Sequence, residues 1–115
     1  MVEQQSFEVE ITYPAKQRYR EEILTYLLDN FSFERALEIN EKIILTTKSL
    51  LKMPERGRLE PSLQEHKESF KFILHKETRN FEIKIIYYVN QTINKVYVTD
   101  FFPVLMQPEQ LKRRN

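Results

Sequence analysis

The chain opens on strict alternation, with Phe7, Val9 and Ile11 interleaved with Glu8, Glu10 and Thr12. A period of two predicts a half-buried strand over residues 7–12, ended by Tyr13 and Pro14. From Ala15 the period changes. Ala15, Tyr19, Ile23, Tyr26 and Leu27 are spaced by three and four, which predicts an amphipathic helix over residues 15–29. Asn30 and Phe31 break the pattern, and Ser32 is placed to cap a second helix. That helix buries a stripe of Phe33, Ala36, Leu37, Ile43, Ile44, Thr47, Leu50 and Leu51, and Pro54 stops it. Two long helices with so short a link are expected to lie antiparallel, as a hairpin whose apolar face needs a sheet to cover it.

Residues 53–61 hold the only glycine, Gly57, and two of the five prolines, which marks an ordered turn region. Three strand-like runs follow, over residues 69–76, 81–89 and 94–100, separated by the polar links 77–80 and 90–93. Links of that length predict a three-stranded antiparallel meander. Alternation turns Phe70, Phe72, Leu74, Phe81, Ile83, Ile85, Tyr87, Val89, Val96 and Val98 toward the helices. It leaves Lys71, Ile73, His75, Glu82, Lys84, Ile86, Tyr88, Tyr97 and Thr99 on the other face. A face mixing basic side chains, tyrosines and isoleucines is too apolar for indifferent exposure and too polar for core, which points to a surface that meets something. The tail, residues 107–115, is a short helix or a disordered basic end. The expected class is α+β, one domain over residues 1–115: an N-terminal strand, an antiparallel helical hairpin, a three-stranded meander and a short tail.

Composition narrows the chemistry. Charged residues make up 30% of the 115 and leave a net charge of +1, so total charge decides little. Residues 1–51 carry six Lys/Arg against nine Asp/Glu, and residues 52–115 carry twelve against eight, so the second half is the basic one. That asymmetry fits a solvated surface or an anionic partner such as RNA or an acidic peptide. With no cysteine there is no disulfide framework, thiolate nucleophile or Cys-based zinc site. No Gly-rich phosphate loop and no paired-histidine spacing suggests a nucleotide, metal or other cofactor, so none is expected. No stretch approaches the length of a membrane span and the first residues have no leader-like pattern, so no membrane partner and a cytoplasmic location are expected.

Several motifs now read together. They are Ile11-Thr12-Tyr13-Pro14-Ala15 at the strand–helix passage, Tyr26-Leu27 near the end of the first helix, and Ala36 early in the second. The most specific is Leu50-Leu51-Lys52-Met53-Pro54-Glu55-Arg56-Gly57-Arg58, a hydrophobic-Pro-x-x-Gly-Arg junction. Ser69-Phe70-Lys71-Phe72 and Phe81-Glu82-Ile83-Lys84-Ile85-Ile86-Tyr87-Tyr88-Val89 follow as paired strands. Over about residues 7–112 the chain resembles the RelE/ParE superfamily of toxins from type II toxin–antitoxin (plasmid stabilisation) systems. The resemblance implies a compact α+β toxin, held in check by a cognate antitoxin, that acts on a macromolecular target. That target is the ribosome and its mRNA for RelE-like members, which are endoribonucleases, or DNA gyrase for ParE-like members. A degenerate, non-toxic binding module is the remaining reading.

Cleaving RNA without a metal needs a base for the 2′-hydroxyl, an acid for the leaving oxygen and cations for the developing phosphate charge. The residues expected to supply catalysis are Lys71, His75, Lys84 and Tyr88, gathered on one sheet face. Arg56, Arg58 and Arg79 are expected to bind substrate or nucleic acid. After the last strand the chain departs from the nuclease members, because no basic residue follows Asp100 before Lys112. Phe101, Phe102, Val104, Leu105 and Met106 form an apolar run there instead, which either caps the core or makes a protein interface, with the antitoxin or in a homodimer.

Overall fold

The computed structural model describes residues 6–104. Strand β1 (Glu8–Ile11) leads into one continuous helical rod made of α1 (Tyr13–Arg18), a π-helical segment (Tyr19–Leu24) and α2 (Thr25–Asn30). Thr12 caps its start by accepting from the Ala15 N–H at 3.4 Å, with Pro14 in the first turn where its missing N–H costs nothing. The buried residues Ala15, Ile23 and Leu27, with the packed Tyr19, recur every four residues. That spacing is wider than the 3.6 of an α-helix, and the wider π turn between α1 and α2 keeps them on one side of the rod.

Ser32 caps α3 (Phe33–Lys48) by accepting from the Arg35 N–H at 3.1 Å. The helix yields to a 3₁₀ turn (Ser49–Leu51) before Pro54 is reached. Thr46, Thr47 and Ser49 each turn a hydroxyl back onto a carbonyl of the preceding turn, those of Lys42, Ile43 and Thr46, and such back-bonding competes with the helical ladder. The stripe predicted for α3 is divided. Ala36, Ile43, Thr47 and Leu50 are buried, together with Ile39, which the predicted stripe leaves out, whereas Phe33, Leu37, Ile44 and Leu51 are exposed.

The sheet is wider than the expected meander. It has five strands, mixed in direction, in the order β1-β5-β4-β3-β2, with β2 (Arg58–Leu59), β3 (Lys71–Thr78), β4 (Phe81–Asn90) and β5 (Lys95–Pro103). β3, β4 and β5 pair antiparallel, β1 adds parallel to β5 (Val9 opposite Val96, Ile11 opposite Val98), and β2 closes the far edge on β3. The helices cover one face. Their Ala15, Ile23, Leu27, Ile39 and Ile43 pack with Ile73, Ile83, Ile85, Tyr87, Val96, Val98 and Phe101. On the other face the segment after β2 folds across the sheet and builds a smaller core of Leu63, Phe70, Ile86 and Phe102, with Phe72 and Tyr88 against it. Among the described residues no helix is long and apolar enough to cross a membrane.

The facing of β3 is the reverse of the one its alternation predicts. The β3–β4 register shifts by one residue between Lys76 and Thr78, leaving Glu77 as a bulge. Without that bulge the two-residue turn at Arg79 and Asn80 would set Phe72 and Leu74 beside Tyr87 and Ile85. With it, Ile73 lies opposite Ile85 and His75 opposite Ile83. A slip of one exchanges every side chain between faces. Lys71, Ile73 and His75 therefore belong to the helix side, and Phe70, Phe72 and Leu74 to the outer side, contrary to expectation.

Gly57 sits where the chain crosses beneath Tyr87, whose hydroxyl accepts the Gly57 N–H at 2.9 Å. A Cβ there would come within 2.4 Å of the Tyr87 hydroxyl and 2.8 Å of the Phe72 carbonyl oxygen. Gly57→Ala is expected to destabilise the fold by about 1–3 kcal/mol in urea denaturation through overpacking. Tyr87→Phe, which strands the Gly57 N–H, is expected to cost about 1–2 kcal/mol. The two changes should be less than additive, because removing the hydroxyl removes the worst of the clash.

Candidate functional site

The outer face carries the surface with the most chemistry. Arg58 lies opposite Phe72 across the β2–β3 pair, and Leu74 lies opposite Lys84 across β3–β4. Arg56 and Arg58, both exposed, line a shallow cleft with Phe72 and Leu74. Lys84 stands 4.5 Å from the centre of the Phe72 ring, a cation–π contact. Farther along the same face the rings of Phe70, Tyr88 and Tyr97 form a row. Phe70 meets Tyr88 edge-on at 5.5 Å, and Tyr88 stacks on Tyr97 at 5.2 Å. Lys95 caps the row 5.5 Å from the Tyr97 ring.

Lys84 is not a free cation. Its Nζ donates to Glu60 Oε1 at 2.7 Å, and the second oxygen of that wholly buried carboxylate accepts the Ser62 N–H at 2.9 Å. Glu60 thus caps the short turn Pro61–Leu63 that lays Leu63 on the outer core. Tyr88 stays protonated well above neutral pH, chiefly because burial disfavours the phenolate, with Glu68, Tyr97 and Glu10 adding to the effect. It can donate a hydrogen bond but is a poor base.

The other two residues expected to share this face lie on its reverse. Lys71, opposite Tyr87, pairs with Glu55 and holds that carboxyl below the usual glutamate range. His75 contacts Glu77 through Nε2 at 3.1 Å and Thr46 of α3 through Nδ1 at 3.4 Å. Glu77 also accepts from Arg35 at 2.7 Å and Lys42 at 3.3 Å, so it ties the bulge of β3 to α3. Burial pushes its carboxyl up, but the hydrogen bonds from His75, Arg35 and Lys42 outweigh that and leave it below the usual range. Arg79 is exposed in the β3–β4 turn. The four residues expected to act together are thus divided between two faces, Lys84 and Tyr88 on one, Lys71 and His75 on the other.

The apolar run after β5 is also placed differently. β5 extends to Pro103, so Phe101 and Phe102 are successive strand residues, 3% and 2% exposed, each packed into a different core. Neither presents a partner surface. Val104 is part-exposed, and Leu105 and Met106 lie outside the described residues. No family model, curated protein or solved structure matches this chain.

The sequence reading missed the acidic side of these arrangements. Glu55, Glu60 and Glu77 each hold a residue expected to be catalytic, and the only local signal is Glu60 before Pro61, the pattern of a capped turn. Among the described residues, what the outer face offers is planar rings, apolar side chains and the guanidiniums of Arg56 and Arg58, which make no ion pair there. That is a binding chemistry for an anionic or aromatic-rich partner.

Two measurements check these roles. Lys84→Met leaves the buried Glu60 carboxylate without its cation and is expected to cost about 3 kcal/mol, most of it recovered in the Glu60→Leu/Lys84→Met double variant. A loss in the double variant equal to the sum of the losses in Glu60→Leu and Lys84→Met alone would show that the pair is not coupled. Glu77, whose folded-state pKa lies below its ordinary 4.5, contributes stability above that value that is lost as pH falls through the lower folded value. Glu77→Gln should be less stable at neutral pH and should show a flatter decline in melting temperature below about pH 4.5.

Proposed function

We propose that the chain is a toxin of the RelE/ParE kind that acts by binding a macromolecular target and is neutralised by a cognate antitoxin. The observation that carries the mode of action is the division of Lys71, His75, Lys84 and Tyr88 between two faces, with each of the first three bound to a carboxylate. Metal-free RNA cleavage needs an acid, a base and cations around one phosphate. Two lysines and a histidine, each held by a carboxylate and split over two surfaces, do not supply that constellation, whereas the outer face with Arg56, Arg58, Phe72 and the tyrosine row suits docking. An α+β fold in the chain order strand, helices and antiparallel strands, with Gly57 and Arg58 at the junction, supports this reading. On this reading the target is of the gyrase type, the activity belongs in the cytoplasm, and nuclease activity is absent.

Induction in a bacterial host, followed by growth and by sequencing of transcript ends, tests the proposal. Growth arrest is expected with an unchanged profile of transcript ends, relieved at least tenfold in colony count by Arg56→Ala/Arg58→Ala and left intact by His75→Asn. New cuts inside translated codons would establish the endoribonuclease instead. Unaffected growth with soluble, folded protein would leave a non-toxic binding module.

A further inference from the structure

The helix side holds a second site, unrelated to the outer face and independent of the toxin reading. A cleft of about 540 Å³ opens between β1, α1 and α3, within the size range of small-molecule pockets. Its floor is the core itself, the fully buried Ile43 and the nearly buried Phe101. Ile44 and Leu51, the residues of the α3 stripe that stay 39% and 41% exposed, form one wall, and Val9 and Ile11 of β1 form the other.

The polar groups around this cleft define what it would accept. The Tyr19 hydroxyl already donates to Asn40 Oδ1 at 2.6 Å, and the Thr47 hydroxyl to the Ile43 carbonyl at 2.8 Å. What remains is Lys16 and Lys48 at the rim, and neither takes part in an ion pair among the described residues. Lys42, Lys71, Lys84 and Lys95, by contrast, each contact a carboxylate. An apolar trough with two ammonium groups at its mouth and little else to hydrogen-bond matches a molecule with a long apolar body and one anionic head. A neutral lipid would leave the lysines unanswered, and a strongly polar ligand would lose its hydration against Ile43, Ile44 and Phe101.

We propose that this cleft binds a long-chain monocarboxylate, its alkyl chain between α3 and β1 and its carboxylate between Lys16 and Lys48. The test uses the full chain, dodecanoate below its micelle concentration, and NMR of the isoleucine methyl groups. Saturable one-to-one shifts are expected at Ile11, Ile43 and Ile44, with methyl dodecanoate and dodecanol binding at least tenfold more weakly. Lys16→Ala/Lys48→Ala should weaken dodecanoate at least tenfold and leave the alcohol unchanged. Leu51→Trp, at an exposed position that can fill the trough, should abolish both with an unchanged melting curve. Equal affinity for acid and ester, shifts confined to other isoleucines, or no saturable binding would overturn the proposal. So would sedimentation showing a dimer that closes the cleft and excludes dodecanoate.

Discussion

A single extra residue in β3 determines which surface this protein presents. Glu77 bulges out of the β3–β4 ladder and is held by Arg35 and Lys42 of α3 and by His75 two residues before it. A carboxylate with little solvent exposure is tolerable only when cations and hydrogen bonds replace its hydration, and here three donors do so. The same contacts pin the sheet to the hairpin, so the bulge, the facing of β3 and the position of α3 form one coupled arrangement.

Everything on the outer face follows from that facing. Once Phe70 and Phe72 turn away from the helices they need their own cover, which the Glu60–Lys84 pair and Leu63 supply by fastening the preceding segment across the sheet. A buried ion pair contributes little net stability compared with apolar packing, but losing one partner is costly, so it specifies how the segment lies. The result is a sheet with two unequal cores, and it explains why β5 carries Phe101 and Phe102 in succession: near its end both faces are covered.

The same geometry separates the two surfaces that remain open. The outer face is aromatic and carries guanidiniums, suited to a large partner that can lie across its part-buried rings. The cleft beside β1 is narrow, apolar and bordered by ammonium groups, suited to a small amphiphile. The residues expected to be catalytic hold elements together instead, Lys71 with Glu55, Lys84 with Glu60 and His75 with Glu77. Lys71, His75 and Lys84, whose positions on strands suggest chemistry, are architecture in the folded chain.

What the sequence by itself determined is whatever depends on near neighbours. Alternation at Phe7, Val9 and Ile11, the caps at Thr12 and Ser32, the four-residue spacing from Ala15 to Leu27, and the inward face of β4 all follow from local periodicity and local hydrogen bonds. Residues 69–76 alternate just as cleanly, yet their facing came out reversed. Periodicity states that two faces differ but not which is which, and that choice lay with a bulge stabilised by Arg35 and Lys42, some forty residues earlier in the chain. The parallel docking of β1 on β5, the extension of β5 to Pro103, and the pairing of Glu60 with Lys84 are likewise contacts between distant residues. Only the tertiary structure decided them, because the free energy of each depends on burial that no single segment can create alone.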